Sequence, residues 1–189
     1  DILHKEKYNK IGVILMESST GKIRAMAQKD DNAYNVNLGY PSTNGALPGS
    51  IFKVIVDEAG LDMNKIDNNQ QFTIKPNIFA NEPFKGNTFT VADALVKSSN
   101  NIFAQIGWKV GVQNIYNYAQ KQGMLEPVLN LQQEDEGQFA KGIVEKPSPE
   151  NTSQVSIGQN VTITPLEALS IPNTIVNNGV YVKPNIIDA

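Results

Sequence analysis

The sequence predicts an α/β (α+β) fold in which an antiparallel sheet is packed by helices. Two observations carry that expectation. A branched apolar run, Ile11 to Met16, is followed by the turn residues Ser18-Ser19-Thr20-Gly21 and then by the alternating stretch Lys22 to Ala27, the pattern of a β-hairpin. Most of the remaining chain is punctuated by helix-start and helix-stop chemistry. With 189 residues, 40% of them hydrophobic and 19% charged, the chain suits one domain with a packed core.

Taken in order, Asp1 to Lys10 is polar and reads as a lead-in to the hairpin, whose strands should be one central and one half exposed. Asp30 to Gly49 is rich in Asp, Asn, Gly, Pro, Ser and Tyr and reads as a loop. Pro48 and Gly49 disfavour helix before Ser50, and the run after it reads as a helix closed near Gly60. Apolar positions 51, 52, 54, 55, 56 and 59 wrap nearly all round that helix, which predicts burial in the middle of the domain. Asp62 to Lys85 reads as a surface excursion with a short strand at Phe72-Thr73-Ile74. Thr90-Val91-Ala92-Asp93 has capping-box character and opens a helix over Val91 to Val96, which stops at Lys97-Ser98-Ser99-Asn100-Asn101. Two more helices are expected, Ile102 to Val110 before Gly111 and Val112 to Gln122 before Gly123. Met124 to Ser156 is the least regular part. Thr164-Pro165-Leu166-Glu167 combines an N-cap Thr, Pro at N1 and Glu at N3, so a helix should run to Asn177 with a kink at Pro172. Val180-Tyr181-Val182 and Ile186-Ile187 read as extended.

Composition narrows the chemistry. A net charge of -3 leaves no basic footprint for nucleic acid. Cysteine is absent and His4 is the one histidine, so disulfides, a zinc site and a Ser-His-Asp triad are all disfavoured. No cofactor is implied. No run approaches a membrane span, and no signal-peptide pattern occurs. The chain begins at Asp1 rather than Met and reads as a piece of a longer protein whose anchor lies outside it.

Ser50-Ile51-Phe52-Lys53 puts a serine at a helix N-terminus and a lysine one turn along on the same face. Among Ile, Phe and Val the ammonium is desolvated, its pKa should fall, and a neutral amine can accept a proton. A serine hydroxyl is a poor nucleophile until such a base stands beside it. The helix N-terminus adds N–H groups and positive potential for a developing oxyanion. Ser-x-x-Lys is short, however, and a capping serine beside a snorkelling lysine explains it equally well.

A second motif changes the balance. Ser98-Ser99-Asn100, between two helices and about fifty residues downstream, completes with Ser50-Ile51-Phe52-Lys53 a pairing that resembles the penicillin-binding proteins. The likeness extends along the chain. Val13 to Ala27 resembles the hairpin opening a penicillin-binding protein transpeptidase domain, Pro48 to Lys53 its nucleophile motif and Ala94 to Phe103 its second motif. Ser156-Ile157-Gly158-Gln159, Thr162 to Leu169, Asn177-Asn178-Gly179 and Lys183-Pro184 resemble the segment leading to its last strands. The Gly-Gln and Thr-Pro-Leu pattern looks like the monofunctional class B group.

The resemblance implies a β-lactamase/transpeptidase-like fold and a D,D-transpeptidase. In that reading Ser50 attacks a D-alanyl-D-alanine stem peptide to form an acyl-enzyme, Lys53 is its base, and Ser98 relays a proton to the departing amine. Asn100 binds the substrate amide and steadies Lys53, and the Ser50 N–H is one oxyanion donor. The implied partners are peptidoglycan stem peptides, β-lactam antibiotics and a glycan-polymerising membrane partner, with no nucleic acid. The implied location is the outer face of the bacterial cytoplasmic membrane.

One departure stands out. The family's third motif, Lys-Thr/Ser-Gly on an edge strand, does not occur in these residues. The expectation is therefore a partial transpeptidase domain over 1–189, its sheet incomplete at the C-terminal end, with weak or no acylation. Two alternatives remain. One is a β-lactam-sensing or inactive domain. The other is a class A-like β-lactamase, for which Glu126-Pro127-Val128-Leu129-Asn130 resembles the deacylating glutamate motif. Against the latter, Gln133-Glu134-Asp135-Glu136-Gly137 looks like the acidic-Gly element of penicillin-binding proteins.

Overall fold

The computed structural model describes residues 10–30, 47–79, 81–83, 86–132 and 134–186. The lead-in with His4, most of the loop between Asp30 and Gly49, and residues Lys85, Gln133 and Ile187 lie outside the described residues. The strands are β1 (Lys10–Met16), β2 (Ile23–Asp30), β3 (Gln71–Thr73), β4 (Thr88–Thr90), β5 (Gln138–Phe139) and β6 (Val161–Thr162). The helices are α1 (Lys53–Asp62), α2 (Val91–Val96), α3 (Asn100–Val110), α4 (Val112–Lys121), α5 (Pro149–Ser156), α6 (Pro165–Ala168) and α7 (Ser170–Val176). Sheets are antiparallel two-stranded pairs where the register is defined, β1 with β2 and β3 with β4. The chain forms two compact units, one built from residues 1–46, 120–138 and 163–189, the other from 47–119 and 139–162.

In the first unit β1 and β2 form the expected hairpin, Val13 opposite Ala27 and Leu15 opposite Ala25. Among the described residues β1 has β2 as its one ladder partner, and Val13 and Leu15 are 52% and 61% exposed, so β1 is not the central strand anticipated. The hairpin turn is held from a distant part of the chain. Asn185 N–H donates to the Gly21 carbonyl and Ile23 N–H donates to the Asn185 carbonyl, each at 2.8 Å. That single parallel bridge, Lys22 to Asn185, replaces the extended segment expected at Val180-Tyr181-Val182, which is irregular.

The buried Glu167 organises the rest of this unit. Thr164 and Glu167 form the capping box the sequence announces, and the Glu167 carboxylate also accepts N–H bonds from Leu125 (3.0 Å) and Gly137 (2.8 Å). Burial pushes its carboxyl above the usual carboxylate range, with the N–H donors pulling against that rise. The helix it starts does not run on kinked to Asn177. It ends at Ala168 and α7 begins at Ser170, because Pro172 has no N–H to offer the Ala168 carbonyl.

In the second unit α1 packs against α3, and α3 against α5. The α1 side contributes Phe52, Ile55, Val56 and Ala59, while α3 buries Ile102, Phe103, Ala104 and Ile106. Phe52 meets the edge of Phe139 at 6.1 Å between centroids, and Tyr116 meets the same ring at 5.2 Å. α3 and α5 approach so closely that a Cβ on Gly107 would lie 1.7 Å from Ser156 Oγ. The helix α5 falls inside the stretch read as irregular. Its signature is the one used at Thr164, since Ser148 caps Asn151 N–H at 3.1 Å with Pro149 at the first helical position. The weakly apolar Pro149-Glu150-Asn151-Thr152-Ser153-Gln154 hides that signal, because here the helix buries small polar side chains rather than a hydrophobic stripe.

Candidate active site

The site begins where two backbones touch. Gly49 has φ +57° and donates its N–H to the Gly158 carbonyl at 3.2 Å, and a Cβ on Gly158 would fall 2.0 Å from the Gly49 oxygen. The segment around Gly158 thus supports the residue before Ser50 directly. A 3₁₀ turn over Gly49–Phe52 follows, so Ser50 lies one turn ahead of α1 rather than within it. Ser50 is exposed, whereas Lys53, the first residue of α1, is fully buried.

Facing it is the turn between α2 and α3. Thr90 caps α2 as expected, accepting from Asp93 N–H at 3.0 Å. The helix ends in a Schellman motif: Ser98 N–H donates to the Leu95 carbonyl and Ser99 N–H to the Ala94 carbonyl, both at 2.9 Å. Its left-handed position, usually glycine, is Ser98 at φ +53°. Ser99 then caps α3 through Ile102 N–H (3.3 Å), and Asn100 opens the helix.

Lys53 Nζ gathers these pieces. It lies 3.1 Å from Ser50 Oγ, 2.9 Å from Ser98 Oγ, 2.7 Å from the Ser98 carbonyl and 2.6 Å from Asn100 Oδ1. The Phe103 ring centroid is 5.8 Å away. Burial pulls its pKa down from 10.5 to about 8, and the Glu82 carboxylate opposes the fall. The neighbours discriminate between protonation states. The Ser98 carbonyl and Asn100 Oδ1 can only accept, so a neutral amine satisfies both with its two N–H groups and leaves its lone pair to a hydroxyl proton. The ammonium spreads three N–H groups over four oxygens. The arrangement can hold a proton or take one from Ser50.

All four residues singled out in the sequence, Ser50, Lys53, Ser98 and Asn100, therefore meet around one nitrogen. Two further residues, which no motif marks, support them. Glu82 Oε2 accepts from Asn100 N–H (3.1 Å) and Asn101 N–H (3.3 Å). Asn101 is fully buried, donating to the Lys75 (2.7 Å) and Ile78 (2.5 Å) carbonyls and accepting from Lys75 N–H and Gln105 Nε2 at 3.0 Å each. Asn101 has a signal, the last of five polar residues in a row before an apolar helix face; Glu82, in an irregular stretch, has none. Glu126 is exposed and belongs to the other unit, as does Glu134, whose carboxylate accepts from the Val128, Leu129 and Leu131 N–H groups and shapes its own loop. No cluster of three or more His, Cys, Asp or Glu among the described residues could hold a metal, and no described helix is long and apolar enough to cross a membrane.

Known proteins resemble this chain along most of its length. The peptidoglycan D,D-transpeptidase PbpA of Mycobacterium tuberculosis is 28% identical over 217 residues, which cover 93% of this chain and 42% of the relative. The chain thus spans less than half the length of that protein. The crystal structure of PBPA from the same organism superposes with a TM-score of 0.73 at 30% identity, over 92% of this chain and 50% of the other. Penicillin binding protein 3 of that organism, complexed with aztreonam, gives a TM-score of 0.78 at 20% identity, over 94% of this chain and 43% of the other. The family model described as the penicillin binding protein transpeptidase domain matches residues 11–189. The serine, lysine and asparagine gathered at the start of α1 and of α3 sit inside that match, and the chain belongs to the penicillin-binding protein transpeptidase family.

Proposed function

We propose that this chain is the acylating part of a D,D-transpeptidase that cross-links peptidoglycan stem peptides. The observation that carries the reading is the set of four oxygens around Lys53 Nζ, two of them hydroxyls. Neutral Lys53 takes the Ser50 proton as Oγ attacks the penultimate D-alanine carbonyl. The C–N bond then breaks, and the proton leaves on the D-alanine amine through Lys53 and Ser98. An acceptor amine attacks the resulting ester, gives its proton to the same relay and restores the Ser50 hydroxyl. Asn100 holds the substrate amide and the lysine together. With a pKa of about 8, roughly a tenth of Lys53 is neutral at pH 7, so acylation should rise as pH climbs toward 8.

β-Lactams enter as mimics of the first substrate; the structurally similar penicillin binding protein 3 forms a complex with one of them, aztreonam. The proposed setting is the outer face of the bacterial cytoplasmic membrane, beside a glycan-polymerising partner. The 189 residues hold no Lys-Thr-Gly or Lys-Ser-Gly triplet, so we propose them as a transpeptidase domain without its third-motif strand, and slow acylation is expected.

Intact mass after incubation with benzylpenicillin tests the proposal. A slowly formed, stable adduct on the chain, lost in Ser50→Ala, is the expected result. An adduct that persists in Ser50→Ala would defeat the assignment of the nucleophile. Rapid stoichiometric labelling would defeat the expectation of slow acylation.

A further inference from the structure

The carboxylate of Glu82 is linked to the site through the backbone of the second motif. Both of its hydrogen bonds fall on one atom, Oε2, and come from the first two N–H groups of α3. Those groups belong to a helix terminus that needs outside acceptors, and negative charge there is favoured by the helix dipole. The side chain of Asn100, the residue whose N–H Glu82 accepts, reaches Lys53 Nζ at 2.6 Å. The same loop is fastened a second time, since Asn101 Nδ2 donates to the Lys75 and Ile78 carbonyls.

We propose that Glu82 is a positioning residue for the serine–lysine site: its carboxylate closes the N-terminus of α3 and so fixes Asn100 against Lys53, while its negative charge steadies the protonated lysine. The inference rests on the acyl-transfer reading of the site. The nearby elements carry other charges, Asp57, Glu58 and Asp62 on α1, Asp93 and Lys97 on α2, Lys109 on α3 and Lys75 on the loop. The Glu82 carboxylate opposes the fall that burial imposes on the Lys53 pKa, and through Asn100 it is one residue removed from Lys53 Nζ. The two effects of Glu82 are separable, because both bonds use a single oxygen. In Glu82→Gln the amide oxygen can keep both N–H bonds while the charge is lost. In Glu82→Ala both are lost.

The test follows Lys53 directly, by NMR titration of its side chain in the 13C,15N-lysine-labelled chain, assigned with Lys53→Arg. Amide hydrogen exchange at Asn100 and Asn101 is read alongside it. In Glu82→Gln, Lys53 should titrate about one pH unit lower with amide protection retained. In Glu82→Ala, the lysine should shift similarly and protection at the two amides should fall roughly fivefold, the equivalent of a lost cap. A Lys53 titration in Glu82→Gln that matches the unsubstituted chain would overturn the electrostatic role. Unchanged protection in Glu82→Ala would overturn the positioning role. Neither readout requires acylation. Failure of the unsubstituted chain to form a Ser50 adduct, with the titration shift present, would sink the acyl-transfer reading and leave the coupling of Glu82 to Lys53 standing.

Discussion

At the scale of single residues, four consecutive polar side chains divide the work of the second motif. Ser98 supplies two oxygens to Lys53, Ser99 caps α3, Asn100 reaches the lysine and Asn101 ties down the preceding loop. Asp57 is a different case. It lies one turn beyond Lys53, and its Oδ1 is buried without a hydrogen-bond partner. Burial pushes its carboxyl from 3.8 up to about 6. The folded chain then keeps a proton that the unfolded chain sheds between those values, so stability falls as pH rises through that window and stays lower above it. Asp57→Asn should therefore match the unsubstituted chain below pH 3.8 and become more stable by about 3 kcal/mol above pH 6. Urea midpoints measured across that range check it, and a pH-independent difference would refute it. Ser50 and Lys53 are legible in the sequence as a serine and a lysine one helical turn apart, and Ser98 and Asn100 through the resemblance of the paired motifs to the penicillin-binding proteins. Asp57 is not, because a lone aspartate on a helix reads as solvated until its surroundings are known.

At the scale of elements, termini are more legible than interiors. Thr90 and Thr164 caps, and the glycines after α3 and α4, announce their helices because capping is a local match between one side chain and one or two N–H groups. The helix α5 has the same cap but lacks an apolar stripe, since its contact with α3 depends on Gly107 and Ser156 rather than on hydrophobic periodicity. The break between α6 and α7 is legible as Pro172 but not as two separate helices. Glu167 shows how far one cap can extend. It reads as an N3 glutamate, yet it also binds Leu125 and Gly137, 42 and 30 residues away. Glu167→Ala strands three backbone N–H groups and should cost about 3 kcal/mol, well above the ~1 kcal/mol of an ordinary cap. Equilibrium unfolding gives the answer, and a loss near 1 kcal/mol would reduce Glu167 to a local cap.

At the scale of the whole molecule, the hairpin and its turn are legible, but the segment that grips the turn is not, because a single bridge at Asn185 leaves no alternating pattern. The two units also differ in how the chain supplies them. The unit with the serine–lysine site is complete by residue 162, whereas the hairpin unit draws on residues beyond 163. Pulse-labelled hydrogen exchange during refolding should show α1 and α3 amides protected before Ile23, whose N–H waits for the Asn185 carbonyl. Simultaneous protection would contradict this order. On a ribosome the same arrangement becomes a schedule. Strands β1 and β2 emerge long before the residue that anchors their turn, so the hairpin waits with its turn unfastened until Asn185 has been made.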